Sequence, residues 1–260
     1  MLNIDLSGYR ALVCGASKGI GAETARTFAQ AGARVTLVAR SEADLKEVLQ
    51  SLSGDGHQIL ALDLNDTQKI AEQLEKTDLK NHPYTILVCN AGGPKAGPLV
   101  EAEAQSFLDG FKTHVLANQT LAQALLPGMK AKKYGRIINI ISTSVKIPIP
   151  NLGVSNTIRG AVANWAKTLA NEVGEFGITV NNVLPGFTET ERLETLIQAA
   201  SERFNQTPEQ IAETWKGYIP TKRFAKPQET AQTIAFLASP LASYINGINL
   251  PVDGGRTGSL

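Results

Sequence analysis

Strand-like runs alternate with helix-length segments along the whole chain, and this alternation limits the fold more than any other feature. Residues 85–89 form a run that is almost entirely apolar, as is typical of a strand covered on both faces of a parallel sheet. Parallel neighbours need right-handed crossovers. The sequence therefore predicts an α/β fold with one doubly wound parallel sheet and helices on both faces. The strand candidates are residues 10–14, 34–39, 58–61, 86–89, 136–141, 179–184 and 248–252.

No internal repeat, low-complexity tract or linker divides the 260 residues, so we expect one domain over residues 1–260. Only residues 186–226 interrupt the alternation. This segment is polar with scattered apolar residues, among them Leu193 and Trp215. It predicts a helical lid over a substrate that is itself partly apolar.

Composition and charge exclude several classes of function. Lysine and arginine number 25 against 24 aspartate and glutamate, so no overall positive field would attract nucleic acid or an acidic membrane. No run approaches the roughly 18 apolar residues of a membrane span, and the N-terminus lacks a signal-peptide pattern. The two cysteines, Cys14 and Cys89, do not have metal-ligand spacing. We expect a cytoplasmic protein without a metal site.

A glycine-rich turn follows the first strand and precedes a helix-forming segment. Glycines let a backbone approach a diphosphate, and the N–H groups at a helix N-terminus bind anions. A strand before the turn and a helix after it are the context that a dinucleotide site requires. The residues predicted to form it are Gly15, Ser17, Lys18, Gly19, Ile20 and Gly21.

The end of the second strand candidate indicates the cofactor. NAD sites usually place an acid here to hold the ribose 2′-hydroxyl, whereas this chain has Arg40 followed by Ser41. An arginine can pair with a 2′-phosphate through two N–H groups, and Lys18 can add a second positive charge. This pattern favours NADP(H) over NAD(H). The alternative is a solvated Arg40 at a helix start, where a cation opposes the helix dipole.

The same turn also has the spacing of a hydrolase nucleophile elbow, with Ser17 as the nucleophile. That fold needs a histidine late in the chain. The histidines are His57, His82 and His114, and none follows residue 114. The hydrolase therefore ranks well below the dinucleotide site.

Four motifs follow predicted strands in a fixed order: the glycine-rich turn, Asp63-Leu64, Asn90-Ala91-Gly92 and Pro185-Gly186. With them the chain resembles the short-chain dehydrogenase/reductase family nearly end to end. The resemblance implies a Rossmann-like fold, NADP(H), a small-molecule carbonyl or alcohol substrate, and a homo-oligomer, either a dimer or a tetramer. An acyl-thioester ketone is the substrate suggested by many relatives of this size.

The resemblance also implies roles for individual residues. Asp63 and Leu64 would contact the adenine, and Asn90 and Gly92 the neighbouring ribose. The residues implied beside the nicotinamide are Pro185, Gly186 and Thr190. Asp63 and Asn90 could instead be turn residues that cap their own backbone.

The catalytic set of the family is Asn, Ser, Tyr and Lys, and this chain departs from it. Ser142 matches the serine, whereas Ser155 falls at the tyrosine position, Arg159 at the lysine position and His114 at the asparagine position. A serine is a much poorer acid than a phenol, and an arginine does not release its proton near neutral pH. A spacing of four still places Ser155 and Arg159 on one helix face.

Two hypotheses follow from this departure. In the first, the chain is an atypical reductase in which Ser142 and Ser155 hydrogen-bond the carbonyl oxygen and His114 supplies the proton. In the second, the chain binds NADP(H) without turnover and acts as a sensor or a subunit. A structural His114 that satisfies backbone groups is the alternative to the proton donor.

Overall fold

The computed structural model describes residues 4–259. Its strands form one sheet in which every neighbouring pair is parallel, in the order β3-β2-β1-β4-β5-β6-β7. The doubly wound α/β class is confirmed. The strands are β1 (Arg10–Cys14), β2 (Arg34–Ala39), β3 (Gln58–Ala61), β4 (Ile86–Cys89), β5 (Gly135–Ile140), β6 (Ile178–Pro185) and β7 (Asn249–Val252).

Three strands have boundaries that differ from the sequence prediction. β5 begins one residue earlier, at Gly135, where a Cβ would lie 2.8 Å from Ile178 Cγ1 on β6. Only a glycine allows this close approach between the two strands. β5 also ends one residue earlier, at Ile140. β6 is one residue longer at each end and spans Ile178–Pro185, and β7 begins one residue later, at Asn249. β7 is an edge strand with no neighbouring strand on its outer side. The missing N–H of Pro251 therefore removes no hydrogen bond from the sheet.

Helices cover both faces of the sheet. One core cluster packs α1, α2 and α9 against one face, and a second packs α3, α5 and α6 against the other. The helices are α1 (Gly19–Gln30), α2 (Glu42–Gln50), α3 (Thr67–Glu75), α4 (Ala104–Phe111), α5 (Ala117–Lys132), α6 (Gly153–Val173), α7 (Glu191–Phe204), α8 (Pro208–Gly217) and α9 (Pro227–Ala238).

A π-helical segment, Lys112–Leu116, joins α4 to α5 without a break. Such segments occur often at functional sites because the extra residue redirects a side chain. Here the segment carries the buried His114.

The predicted helical segment after β6 consists of α7 and α8. The two ends of this segment are joined by an isolated β-bridge between Thr188 and Ala225. In it the Ala225 N–H donates to the Phe187 carbonyl at 2.9 Å. The Phe187 ring stacks on Trp215 with centroids 4.8 Å apart. Trp215 therefore serves packing within the segment, whereas Tyr218 is exposed.

Four asparagine amides form a hydrogen-bonded row across the sheet. Asn118 on α5 donates to Asn139 at 3.2 Å, Asn139 donates to Asn182 at 2.8 Å, and Asn182 donates to Asn249 at 2.8 Å. Asn139 and Asn182 are paired in register, as are Asn182 and Asn249. The buried amides thereby satisfy one another across β5, β6 and β7.

The cysteines lie on neighbouring strands, as the predicted strand order implies. Cys14 ends β1, Cys89 ends β4, and both are free and buried. Burial raises the pKa of the Cys14 thiol to about 12. Within residues 4–259, no helix is long and apolar enough to cross a membrane, and no group of three or more His, Cys, Asp or Glu side chains could hold a metal ion.

Candidate cofactor and substrate site

Two connected clefts open at the carboxyl ends of the strands, where doubly wound folds bind ligands. The β2–β3 cleft has a volume of about 780 Å³ and includes Arg40 and Asp63 in its wall. The α6–α7 cleft has a volume of about 460 Å³ and includes Ser142 and Arg159. Both contain the residues that join them: Gly15, Ser17, Lys18 and residues 90–93.

A basin of about 870 Å³ lies at the opposite edge of the sheet, beside Arg10 at the start of β1. It contains none of the residues predicted for the site. Size therefore does not identify the functional cleft here. The carboxyl ends of the strands do, because the predicted motifs meet there.

The glycine-rich turn has the geometry that a diphosphate requires. Gly15 has a φ of +60°, and a Cβ there would lie 2.6 Å from Asn90 Nδ2. Asn90 Nδ2 donates to the Gly15 carbonyl at 3.3 Å and so ties the turn to the end of β4. α1 begins at Gly19, and the side chain of its N-cap residue, Lys18, makes no capping hydrogen bond. The first N–H groups of α1 suit an anion.

Gly21 has a different role from the one predicted. It lies in neither cleft, and a Cβ on it would lie 2.1 Å from the Gly15 carbonyl oxygen. Gly21 therefore lets α1 pack against the turn instead of contacting a cofactor itself.

Arg40 and Ser41 line the β2–β3 cleft at the end of β2. Ser41 Oγ also accepts the Asp44 N–H at 3.3 Å and caps α2. Arg40 is exposed, so its guanidinium can reach a phosphate in the cleft. The positive charge at this position fits the 2′-phosphate of NADP(H).

Lys18 is held by a residue that the local sequence does not indicate. Its Nζ lies 3.2 Å from both carboxylate oxygens of Glu191, which follows it by 173 residues. This hydrogen bond and the charge of Glu191 raise the pKa of Lys18. The side chain is directed towards α7, although it still lines both clefts.

Asp63 lines the β2–β3 cleft together with Leu64, and it caps a turn as well. Its Oδ1 accepts the Asn65 N–H at 2.9 Å. The residue that accepts this bond is also part of the cleft wall. The local and the cofactor roles are therefore compatible in this residue.

Ser142, Ser155 and Arg159 come together in the α6–α7 cleft. Ser142 Oγ accepts the Ser144 N–H at 3.1 Å, which leaves its own hydroxyl hydrogen for a ligand. Ser155 and Arg159 are one turn apart on α6, and both adjoin Gly93. A Cβ on Gly93 would lie 3.6 Å from Arg159 Nη2 and 4.0 Å from Ser155 Oγ.

Arg159 is buried, with 7% of its surface exposed. Its Nη1 donates to the Ile140 carbonyl at 3.0 Å and its Nη2 to the Ala91 carbonyl at 3.4 Å. Its Nε has no hydrogen-bond partner. Burial, with a further contribution from the charge of Arg192, lowers the pKa of Arg159 to about 10. The guanidinium therefore remains charged at neutral pH.

His114 lies in neither cleft, contrary to its predicted place among the catalytic residues. Its Nε2 is 3.1 Å from the Gly92 carbonyl oxygen, so the neutral ring donates its proton there. Burial and the charge of Arg159 lower the pKa of His114 to about 3. Such a ring does not exchange protons near pH 7. It instead holds the backbone at Gly92.

The residues predicted beside the nicotinamide line the α6–α7 cleft as expected: Pro185, Gly186 and Thr190. Ile20, which is predicted as part of the glycine-rich turn, lines the same cleft. Thr190 Oγ1 accepts the Leu193 N–H at 3.4 Å and so caps α7. Among the described residues, neither cleft contains a tyrosine or a histidine. Ser17 therefore has no histidine partner there, which removes the support for the hydrolase alternative.

The sequence interpretation missed the cleft residues Gly93, Leu152 and Arg192, whereas Leu196 is among the apolar residues of the predicted lid. Arg192 could have been found, because it is a cation in the first turn of α7, where it opposes the helix dipole. Leu152 carries no local signal and reaches the cleft only because α6 and α7 converge there.

Comparisons with known proteins agree with this geometry. A family model described as enoyl-(acyl carrier protein) reductase matches residues 15–257. The 3-oxoacyl-(acyl-carrier-protein) reductase FabG of Vibrio cholerae is 35% identical over 254 residues, 97% of this chain and 98% of that protein. Gluconate 5-dehydrogenase of Gluconobacter oxydans is 32% identical over 259 residues, 98% of this chain and 97% of that protein.

Solved structures give the same result. L-sorbose reductase from Gluconobacter frateurii, in complex with NADPH and L-sorbose, has a TM-score of 0.93 and 30% identity over 100% of both chains. A short chain dehydrogenase/reductase family protein has a TM-score of 0.85 and 30% identity over 98% of this chain and 100% of its own. The chain therefore belongs to the short-chain dehydrogenase/reductase family of oxidoreductases.

Proposed function

We propose that the chain is an NADP(H)-dependent oxidoreductase that interconverts a small-molecule carbonyl and the corresponding secondary alcohol. The observation that carries the proposal is the continuity of the two clefts. A phosphate-binding turn opens on one side to Arg40 and on the other to Ser142, Ser155 and Arg159. Similar proteins of known structure that bind NADPH support the same cofactor here.

The residues at the carboxyl edge fit each part of NADP(H). The turn from Gly15 to Gly19 and the start of α1 would hold the diphosphate, and Arg40 the 2′-phosphate. Asp63 would hold the adenine side, and Asn90 the nearby ribose. When bound, the nicotinamide supplies the hydride for carbonyl reduction.

The chain's own residues would polarise the substrate. Ser142 and Ser155 each have a hydroxyl that can donate to a carbonyl oxygen. The positive charge of Arg159 stabilises negative charge that develops on this oxygen, and its effect is strong because the group is buried. Water in the open cleft then delivers the proton. His114 takes no part, because its ring is neutral and bound to Gly92.

Equilibrium binding tests the cofactor assignment. NADPH and NADH are titrated at fixed ionic strength against the wild type, Arg40→Ala and the control Arg34→Ala. Arg34 begins β2 at the opposite edge of the sheet. We expect Arg40→Ala to weaken NADPH about 10- to 100-fold, because a charge-assisted contact contributes roughly 1.5–3 kcal/mol. NADH binding should change little. Equal NADPH affinity in the wild type and Arg40→Ala refutes the assignment.

Turnover is tested separately from binding. NADPH consumption is followed with a panel of ketones for the wild type and for Ser142→Ala and Ser155→Ala. Both variants should retain NADPH affinity and lose most of the rate. A wild type that binds NADPH tightly and reduces no ketone would favour the alternative of a sensor or subunit without turnover.

We also propose that residues 1–260 form one domain that assembles into a homo-oligomer. Exposed apolar side chains around the π segment, Leu108, Phe111 and Leu116, support a buried contact between copies. Light scattering after size exclusion checks the assembly, and a monomer at all concentrations contradicts it. A single cooperative unfolding transition checks the domain, and two separate transitions contradict it.

A further inference from the structure

The α6–α7 cleft contains a buried positive charge without a counter-ion. Arg159 has five N–H donors, and its two hydrogen bonds go to neutral backbone carbonyls. Its Nε is buried and unpartnered. A buried charge is costly unless it is paired. The fold therefore retains a guanidinium at the cleft wall with hydrogen-bonding capacity that no described residue uses.

A second guanidinium contributes to the same cleft. Arg192 projects from the first turn of α7, and its Nη2 reaches the Pro94 carbonyl at 3.5 Å. It is close enough to lower the pKa of Arg159. Glu191 is the carboxylate of this cleft, and Lys18 already binds it. Two positively charged side chains, Arg159 and Arg192, thus line the same cleft. An anion bound between them would relieve their repulsion.

The charged groups of the cofactor do not neutralise this guanidinium. A hydroxyl of the ribose beside the nicotinamide can accept a hydrogen bond from Arg159 but carries no charge. Under the proposed function, its diphosphate lies at the glycine-rich turn and its 2′-phosphate at Arg40, where other positive groups receive them. Arg159 lies outside the glycine-rich turn. It is one helical turn after Ser155, which is in the first turn of α6. The N-terminus of α6 adds a partial positive charge to this part of the cleft.

We propose that the substrate is an oxo acid, or the corresponding hydroxy acid, whose carboxylate is bound by Arg159 and Arg192. This inference rests on the proposed function. The carbonyl oxygen then lies at Ser142 and Ser155, whose hydroxyls stabilise its developing charge while Arg159 pairs with the carboxylate. An oxo acid, NADPH and one proton give a hydroxy acid and NADP⁺, so the carboxylate is unchanged by the reaction. An acyl thioester lacks this charge and would leave both guanidiniums unpaired.

The test compares charged and uncharged probes on NADPH-loaded protein. Acetoacetate and levulinate are titrated against their methyl esters, with butyrate as a carboxylate without a ketone, and binding is measured by calorimetry. We expect each acid to bind at least tenfold more tightly than its ester, and butyrate to bind and compete with both acids. Esters that bind as tightly as the acids overturn the inference.

Substitutions of the two arginines test whether they cause the preference for acid over ester. Arg159→Met and Arg192→Met remove a charge while keeping an extended side chain, and each should lose at least tenfold in preference for acid over ester. Arg203→Met, on the last turn of α7 and outside the cleft, is the matched control and should keep the preference. Arg192 is exposed, so its variant tests the inference even if Arg159→Met fails to fold.

NADPH affinity is measured first for every protein, which separates the two proposals. A wild type that does not bind NADPH refutes the proposed function and this inference with it. A wild type that binds NADPH but does not prefer acids refutes this inference alone. Preference for acids that survives in both Arg159→Met and Arg192→Met also refutes it.

Discussion

The buried His114 predicts how the stability of the protein depends on pH. Its pKa is about 3 in the folded chain, compared with 6.5 for an ordinary imidazole. Between these values the unfolded chain binds a proton that the folded chain does not. The contribution of the neutral His114 ring to the free energy of unfolding is therefore fully present above pH 6.5 and is lost as the pH falls towards 3. Each pH unit in this window costs about 1.4 kcal/mol, so pH 5 costs about 2 kcal/mol.

Urea unfolding at pH 5, 6 and 7 measures this effect in the wild type and in His114→Asn. The asparagine amide can still donate to the Gly92 carbonyl but does not titrate in this range. We expect the free energy of unfolding of the wild type, relative to the variant, to fall by about 2 kcal/mol between pH 7 and 5. His82→Gln, which removes an exposed ring, should behave as the wild type. A difference between wild type and His114→Asn that is constant with pH refutes the reasoning.

Two glycine substitutions give further predictions. Gly21→Ala forces a methyl group against the Gly15 carbonyl oxygen and should lower the free energy of unfolding by about 1–3 kcal/mol and weaken NADPH binding, as urea unfolding and titration would show. Wild-type values for both would contradict this. Gly93→Ala places a methyl group 3.6 Å from Arg159 Nη2 and should slow carbonyl reduction while changing stability by less than about 0.5 kcal/mol. Gly160→Ala, on α6 with nothing within 4 Å, is its control, and equal rates in the two variants contradict the prediction.

The sequence was sufficient for the sheet and for most of the site, because these depend on local patterns. Apolar strands separated by helices imply parallel pairing, and parallel pairing brings the strand ends to one edge. The turn after β1 and the residues after β4 and β6 therefore meet without any knowledge of side-chain contacts. Gly21 belongs to the same local motif, yet its steric role appears only once the path of the turn is known.

The electrostatics of the site depend on contacts that sequence cannot indicate. Lys18 binds Glu191, which lies 173 residues away, and this partner follows from how α7 crosses the turn. The π segment that buries His114 has no local signal in the sequence. The burial of Arg159 and its approach to Arg192 likewise result from the convergence of α6 and α7.

The row of asparagine amides has a consequence for how the chain selects its strand alignment during folding. A slip of one residue between parallel strands moves every side chain to the opposite face. In β6 such a slip would turn Asn182 away from both Asn139 and Asn249, and buried amides would lose their partners on either side. A misaligned sheet is therefore destabilised by the loss of hydrogen bonds that join β5, β6 and β7. The correct alignment brings Pro185 and Gly186 to the α6–α7 cleft, which Ser142 also lines.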